Sequence, residues 1–338
     1  MINKIKKYLI RTLIVVIAAG LFMVVFPVIW SALNSRKPPV GYHFMATAYV
    51  ALWTGLEKLV DTSPEVPPDI EEFRGIEYKT INGKSLQLDI YRSRNLTGKA
   101  PLLVFIHGGA WKSGKRSDYL VYLIPFAEKG FVTATVSYRL LADSVYPACI
   151  EDLTDAVDWF FKNHDKYGYD PDRIALIGGS AGGHLATLAG FGWQKTVDIN
   201  ATTSLSVIRK NHRIKAVVDI YGPVDLTTEY ARTHPLVTAF IGHSYEEAPG
   251  LYSEASPVKY LDKDDPPVLI FHGTSDMLVP VSQSDDLKKS LDSLGIPNTY
   301  YRLPLWPHTM DIVRRVNIFC QEKMEEFFRE YLAAGQPL

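Results

Sequence analysis

Residues 174–186, IALIGGSAGGHLA, constrain the fold more than any other stretch of this chain. Four apolar residues run into a serine preceded by two glycines and followed by Ala-Gly-Gly, and the helical pattern AGGHLATLAG continues from there. The run reads as a buried strand, a sharp turn and a helix. A turn that abrupt holds Ser180 in strained dihedrals, and residues larger than glycine at Gly178 or Gly182 would clash. It lifts the hydroxyl clear of the sheet edge. It also sets the Ala181 amide at a helix N-terminus, where negative charge is stabilised. A phosphate-binding loop would need a Gly-Lys-Ser/Thr ending, which is absent. A capping serine in a glycine turn is the plain alternative, and only a base and an acid elsewhere in the chain displace it.

The surrounding pattern alternates strand and helix. Ile76–Thr80 and Leu86–Tyr91 read as a strand pair joined by Asn82-Gly83, a hairpin signal. Strands are expected at Leu102–Ile106, Val132–Ser137, Ile174–Ile177, Ile214–Ile220, Val268–Phe271 and Tyr300–Leu303. Helices are expected at Tyr119–Lys129, Cys149–His164, Ala181–Phe191 and Val313–Tyr331. Such alternation implies right-handed crossovers and a mostly parallel sheet covered on both faces.

A serine hydroxyl needs a base, and the base an orienting carboxylate. With this turn the chain order is serine, acid, histidine, each on a loop after a strand. VLIF runs into HGTSDMLVP, which carries Asp276; YYRL runs into PLWPHTM, which carries His308. His272 is too near Asp276 to come from the next strand, and His184 is expected to pack. Asp225, in YGPVDL, is the reserve acid, with a turn or cap as its plain role. LLVFIHGGAW places His107, Gly108, Gly109, Ala110 and Trp111 directly after an apolar strand. The amides of Gly109, Ala110 and Ala181 are the expected donors to an oxyanion.

Together these elements resemble an α/β-hydrolase, more narrowly the hormone-sensitive-lipase-like and BD-FAE-like esterases. The likeness covers about residues 75–331 and rests on seven features: HGGAW (107–111), VSYRL (136–140), YPACIEDLTDAVDWF (146–160), DPDRIALIGGSAGGHLA (170–186), ASPVKYL (255–261), PPVLIFHGTSDMLVP (266–280) and His308. The resemblance implies Ser180 as nucleophile, His308 as base and Asp276 as its orienter, with His107 bracing the oxyanion loop. Ala110 stands where the lipase branch commonly has a third glycine. The expected reaction is hydrolysis of a short or medium acyl ester through an acyl-enzyme, with no metal or organic cofactor implied. Formamidases and isoprenylcysteine methylesterases share similar elements, so those bonds stay open. A non-catalytic envelope or adhesion protein on the same scaffold is the alternative of another class.

The first forty residues differ from the rest. They hold Lys4, Lys6, Lys7, Arg11, Arg36 and Lys37 and no acid, while the whole chain carries a net −1. The balance leaves a mildly acidic body and no electrostatic footprint for a nucleic-acid partner. Thr12–Leu33 is 22 residues without a charge. As a helix it spans roughly 33 Å, enough for the hydrocarbon core. Its basic N-terminal flank predicts a cytoplasmic N-terminus and a catalytic domain on the other side. An uncleaved anchor is the expectation over a cleaved signal peptide. Residues 1–40 therefore read as basic end and anchor, 41–69 as an amphipathic helix and Pro-rich linker, and 70–338 as the catalytic domain. Residues 42–60 read three ways: a cap over the site, a helix lying on the membrane, or a second span. Residues 192–213 read as an insertion near the rim of the site. Cys149 and Cys320 fall on helices expected on opposite faces of the sheet, so no disulfide is predicted.

Overall fold

The computed structural model describes residues 2–192 and 214–333. The expected insertion at 192–213 lies, except for Gly192, outside the described residues. Among the described residues, eight strands form one sheet: β1 Ile70–Ile81, β2 Lys84–Ser93, β3 Ala100–Ile106, β4 Val132–Val136, β5 Tyr169–Gly179, β6 Ala216–Ile220, β7 Val268–Gly273 and β8 Asn298–Leu303. Their spatial order is β1-β2-β4-β3-β5-β6-β7-β8. The first two strands pair antiparallel, β2 runs antiparallel to β4, and every later pairing is parallel. Asn82 and Gly83 turn the β1–β2 hairpin with positive φ, 50° and 76°. Both central residues of a type I′ turn need that, and it is why Asn-Gly is a hairpin signal.

Every expected strand is present, and β5 is longer than its apolar centre suggested. Period-two alternation assigns its residues to two cores. In β3, Leu102, Val104 and Ile106 face one hydrophobic cluster, and Leu103 and Phe105 face the other. The first cluster packs under α4 (Ala148–Tyr167) and α5 (Ala181–Gly192), through Leu153, Val157, Phe160 and Leu185. The second packs under α3 (Leu120–Glu128) and α10 (Arg314–Tyr331), through Leu123, Phe126, Val316 and Phe327. Cys149 belongs to the first and Cys320 to the second, and both are free and buried. The sheet between them explains why they do not pair.

Short helices α6 (Glu229–Thr233), α7 (Pro235–Ile241) and α8 (Pro249–Glu254) connect β6 to β7, and α9 (Ser282–Leu294) follows β7. The α9 sequence SQSDDLKKSLDSL is mostly polar and buries only a narrow stripe centred on Leu287 and Leu291. That narrow stripe is why the apolar pattern alone did not mark it.

At the N-terminus, α1 runs from Ile2 to Leu33 with Pro27 inside it. Among the described residues it is the one helix long and apolar enough to cross a membrane. The second helix, α2, is only nine residues, Met45–Trp53. At about 13 Å it is too short to cross a bilayer. On both sides of α2, the chain docks on the body. Leu59 bridges Val313, the Val60 amide donates to the Ile312 carbonyl at 2.8 Å, and the Gly41 amide donates to the Pro304 carbonyl at 2.7 Å.

Candidate active site

The parallel register sets the loops of the site side by side. Ile106 at the end of β3 pairs with Gly178 near the end of β5, so the HGGAW loop lies against the serine turn. Ser180 has φ 57°, the left-handed strain expected of such a turn, and its amide donates to the Ile220 carbonyl at 2.9 Å. A Cβ on Gly178 would overlap the Gly182 backbone, and one on Gly182 would overlap the Ile106 carbonyl oxygen. The two glycines at ±2 are therefore a steric requirement of the turn.

Three side chains converge at the sheet's C-terminal edge. The Ser180 hydroxyl donates to His308 Nε2 at 2.9 Å, and His308 Nδ1–H donates to Asp276 Oδ2 at 2.6 Å. A carboxylate only accepts, so Asp276 fixes the tautomer that leaves Nε2 free to accept the serine proton. Its other oxygen, Oδ1, takes the amides of Leu278 and Val279, both at 2.9 Å. Burial raises the Asp276 carboxyl. Hydrogen bonds from His272 and His308 outweigh burial and hold it well below the usual carboxylate range. The loops that carry the acid and the histidine are sewn together. The Ser275 amide donates to the Trp306 carbonyl at 2.9 Å, and the Leu305 amide to Thr274 Oγ1 at 2.8 Å.

The oxyanion loop is built from strain and stacking. Gly109, Ala110 and Trp111 have φ of 101°, 54° and 58°. A Cβ on Gly108 would sit 2.7 Å from the Gly179 carbonyl oxygen, so only glycine lets the loop approach Ser180. His107 is buried, stacks on Tyr138 at 4.3 Å, and its Nδ1 lies 2.9 Å from the Gly108 carbonyl. Burial lowers its pKa, which keeps the ring neutral in this brace. Gly109 and Ala110 line the cavity beside Ser180, and Ala181 opens α5, where the first amides have no intrahelical acceptor.

The remaining sequence candidates separate cleanly. His184 packs: its Nδ1 accepts from Trp111 Nε1 at 3.3 Å, and its Nε2 donates to the Ala255 carbonyl at 2.7 Å. Burial pulls its pKa down to about 4. Asp225 makes a turn, with Oδ1 accepting the Thr227 amide at 2.8 Å. Two contacts escaped sequence reasoning. His272 Nε2 lies 3.3 Å from Asp276 Oδ2 and donates to the Val279 carbonyl at 2.9 Å, so a second histidine holds the acid. The Tyr221 ring lies 4.6 Å from the His308 ring, and its hydroxyl donates to the buried Asp311, which also accepts from Tyr122 at 3.1 Å. The four-residue step from His272 to Asp276 was a visible signal for the first contact. Nothing local announces the second.

Among the described residues, two spaces flank Ser180. The larger, about 380 Å³, holds His308, Gly109 and Ala110 and is walled by Tyr122, Tyr221, Ile312 and the N-terminal residues Val60 and Thr62. The smaller, about 20 Å³, lies between Trp111, Ala181, Pro223, Leu236 and Val237 and does not include His308.

Comparison with known proteins adds the family context. The BD-FAE family model matches residues 88–291. The chain is 33% identical over 240 residues to the probable carboxylic ester hydrolase LipM of Mycobacterium tuberculosis, covering 68% of this chain and 54% of LipM. It is 28% identical over 220 residues to the isoprenylcysteine alpha-carbonyl methylesterase ICME of Arabidopsis thaliana, covering 62% of this chain and 50% of that protein. The chain thus spans about half the length of these curated relatives. Among solved structures, a truncated carbohydrate esterase from gut microbiota superposes with a TM-score of 0.67 at 25% identity, covering 79% of this chain and 98% of that one.

Proposed function

The chain belongs to the BD-FAE family, and from that premise we propose that it is a serine carboxylic-ester hydrolase that removes short acyl groups from bulkier alcohols. The observation that carries this reading is the continuous hydrogen-bonded line from Ser180 through His308 to Asp276. In the proposed reaction, Ser180 Oγ attacks the ester carbonyl while His308 Nε2 takes its proton. The oxygen that becomes negative turns to the amides of Gly109, Ala110 and Ala181; one such donor is worth ~10²–10³ in rate. His308 then hands the proton to the departing alkoxide, leaving an acyl-Ser180. Water, deprotonated by the same nitrogen, releases the acid. Asp276 stays ionised throughout and stabilises the imidazolium. LipM's description as a probable carboxylic ester hydrolase supports the same reading.

Proton transfer assigns the two spaces. The leaving oxygen must reach His308 Nε2, so the alcohol occupies the space that contains His308, about 380 Å³. We assign the acyl group to the other space beside Ser180, about 20 Å³. That side is much the narrower of the two, which favours a small acyl group there. A methylesterase needs the reverse arrangement, a large acyl side and a methanol-sized leaving side. We therefore favour small-acyl esters over the bond named for ICME.

We further propose that α1 anchors the protein, with the Lys4–Arg11 basic end in the cytoplasm and the catalytic body on the opposite side. The charge-free apolar length and its basic N-terminal flank support this orientation. The test of the chemistry is a chain-length series on the full chain: 4-nitrophenyl acetate, butyrate and octanoate. We expect kcat/KM to fall at least about tenfold from acetate to octanoate, the scale of ~1.4 kcal/mol of lost transition-state binding, and Ser180→Ala to lose the activity. A best rate with octanoate would reverse the acyl assignment. Unchanged activity in Ser180→Ala would remove the serine from the mechanism.

A further inference from the structure

The helix α2 has an apolar face that none of the described residues covers. Trp53 is 88% exposed and Tyr49 64%, and Phe44, Met45, Leu56 and Leu59 are exposed beside them. Soluble surfaces scatter single apolar residues but rarely gather aromatic and aliphatic side chains in one short segment.

Two structural facts say what covers this face. The first is the clamp that ties α1 to the body. Arg315 on α10 donates to Ser31 Oγ in the last turn of α1 at 2.7 Å, to the Val40 carbonyl at 2.9 Å and to Glu57 Oε2 at 2.7 Å. Its guanidinium stacks over Trp306 at 4.7 Å, and Trp306 Nε1 donates to the Pro39 carbonyl at 3.0 Å. Glu57 is buried. One cation therefore joins the end of α1, the residues on both sides of α2 and the His308 loop, so α1 leaves the body at a fixed place beside α2. The second fact is composition at that place. Trp30 and Lys37 fall at the end of the apolar helix, Tyr49, Trp53 and Lys58 within and just after α2, and Lys37 lies 5.8 Å over the Trp30 ring. Tryptophan, tyrosine and basic residues collect at the headgroup level, where a ring is half apolar and a cation meets phosphate.

We propose that α2 lies in the headgroup region of the bilayer that α1 crosses, and that the cavity beside Ser180 draws its ester from that lipid surface. The apolar ribbon continues from α2 to the cavity. Leu59 bridges Val313, and Val60 hydrogen-bonds Ile312; Val60 and Ile312 are both cavity residues. Ile312 and Leu278 are exposed at the mouth, and Met277 beside Leu278 is 96% exposed. The substrate that fits is an amphiphilic ester with a small acyl group on a long apolar alcohol, already partitioned into lipid. This inference rests on the anchor and ester-hydrolase readings above, so its test separates the three.

The full chain is placed in phosphatidylcholine nanodiscs with one nitroxide at a time on Gly20→Cys, Trp53→Cys or Asp172→Cys. Both native cysteines are buried, so the added thiol is the accessible one; Gly20 has no neighbour within 4 Å of an added Cβ; Asp172 is exposed at the far edge of the sheet. Relaxation by dissolved oxygen against an aqueous nickel chelate is read at each site. Positions 20 and 53 should favour oxygen and position 172 the chelate. If position 53 behaves like 172 while 20 reads lipid, the docking is overturned and the anchor stands. If position 20 also reads water, the anchor falls with it. In parallel, Tyr49→Ser/Trp53→Ser is assayed on hexadecyl acetate in phosphatidylcholine vesicles and on soluble 4-nitrophenyl acetate. The vesicle rate should fall about tenfold, the loss that ~1.4 kcal/mol of surface binding represents, with the soluble rate within about twofold. Equal falls on both substrates would overturn the lipid route, and a wild type inactive on 4-nitrophenyl acetate would instead overturn the ester-hydrolase reading.

Discussion

The Ser180 turn and residues 34–62 wall the same cavity, but different contacts hold them there. At the turn, backbone meets backbone: Gly178 against Gly182, Gly182 against Ile106, Gly108 against Gly179. In the N-terminal segment one side chain, Arg315, gathers Ser31, Val40 and Glu57 from positions far away in the chain. Backbone-to-backbone packing leaves no alternative residue and writes itself into local sequence as glycine. A side-chain clamp can be made by many residue pairs and leaves no local mark. The first region should therefore be intolerant of change and tightly coupled to chemistry. The second should be tolerant of change and coupled to attachment.

The sharpest way to break that contrast starts at the turn. Asp276→Asn removes the carboxylate that orients His308, and kcat on 4-nitrophenyl acetate should fall by about 10³-fold or more. A loss under tenfold would mean that Tyr221 packing positions His308 without the acid. Next comes Gly182→Ala, whose Cβ has no room before the Ile106 carbonyl. Displacing Ser180 by about an ångström should cost about 10² in kcat/KM, together with a lower melting temperature. Wild-type behaviour would show that the turn can yield.

Crossing to the second region, Arg315→Met should lower kcat/KM on soluble ester by less than about tenfold while proteolysis within residues 54–68 quickens, since local opening is governed by the contacts of the segment itself. Equal loss of activity and attachment would place Arg315 with the chemistry.

These expectations follow the line between what was and was not legible in the sequence. The order Ser180, Asp276, His308 could be read because each follows an apolar strand, and strands declare themselves by composition. His107 and the HGGAW loop could be read for the same reason. Residues 42–60 stayed open among cap, surface helix and second span, because the deciding facts are tertiary. The nine residues of α2 are too few to span, and α2 contributes no side chain to the cavity lining, although Val60 and Thr62 beyond it do. Arg315 binds Glu57 across 258 positions, and Tyr122 binds Asp311 across 189. No local pattern reports contacts of that length. The expected insertion at 192–213 lies, except for Gly192, outside the described residues.

The smallest expected effect lies behind the turn. Asp219 is fully buried, with Oδ1 accepting the Gly222 amide at 2.8 Å, and burial pushes its carboxyl up to about 7. An unfolded aspartate titrates near ~3.9. Between these values the folded state binds the extra proton, so stability falls as pH rises from about 4 to about 7 and is level above. Asp219→Asn removes that slope. Its melting temperature relative to wild type should rise by several degrees between pH 5 and pH 8, since the two pH units below about 7 carry about 2.7 kcal/mol of proton linkage at ~1.36 kcal/mol per unit. A constant difference across that range would mean that Asp219 is ionised in the folded protein.

The central claim is that Ser180 is the nucleophile, activated through His308. Incubating the full chain with a fluorophosphonate and mapping the modified peptide by mass spectrometry tests it most directly. The account predicts one covalent phosphonyl group, on Ser180, formed in step with the loss of ester hydrolysis and absent in His308→Ala. A chain that hydrolyses 4-nitrophenyl acetate while Ser180 stays unmodified would contradict it.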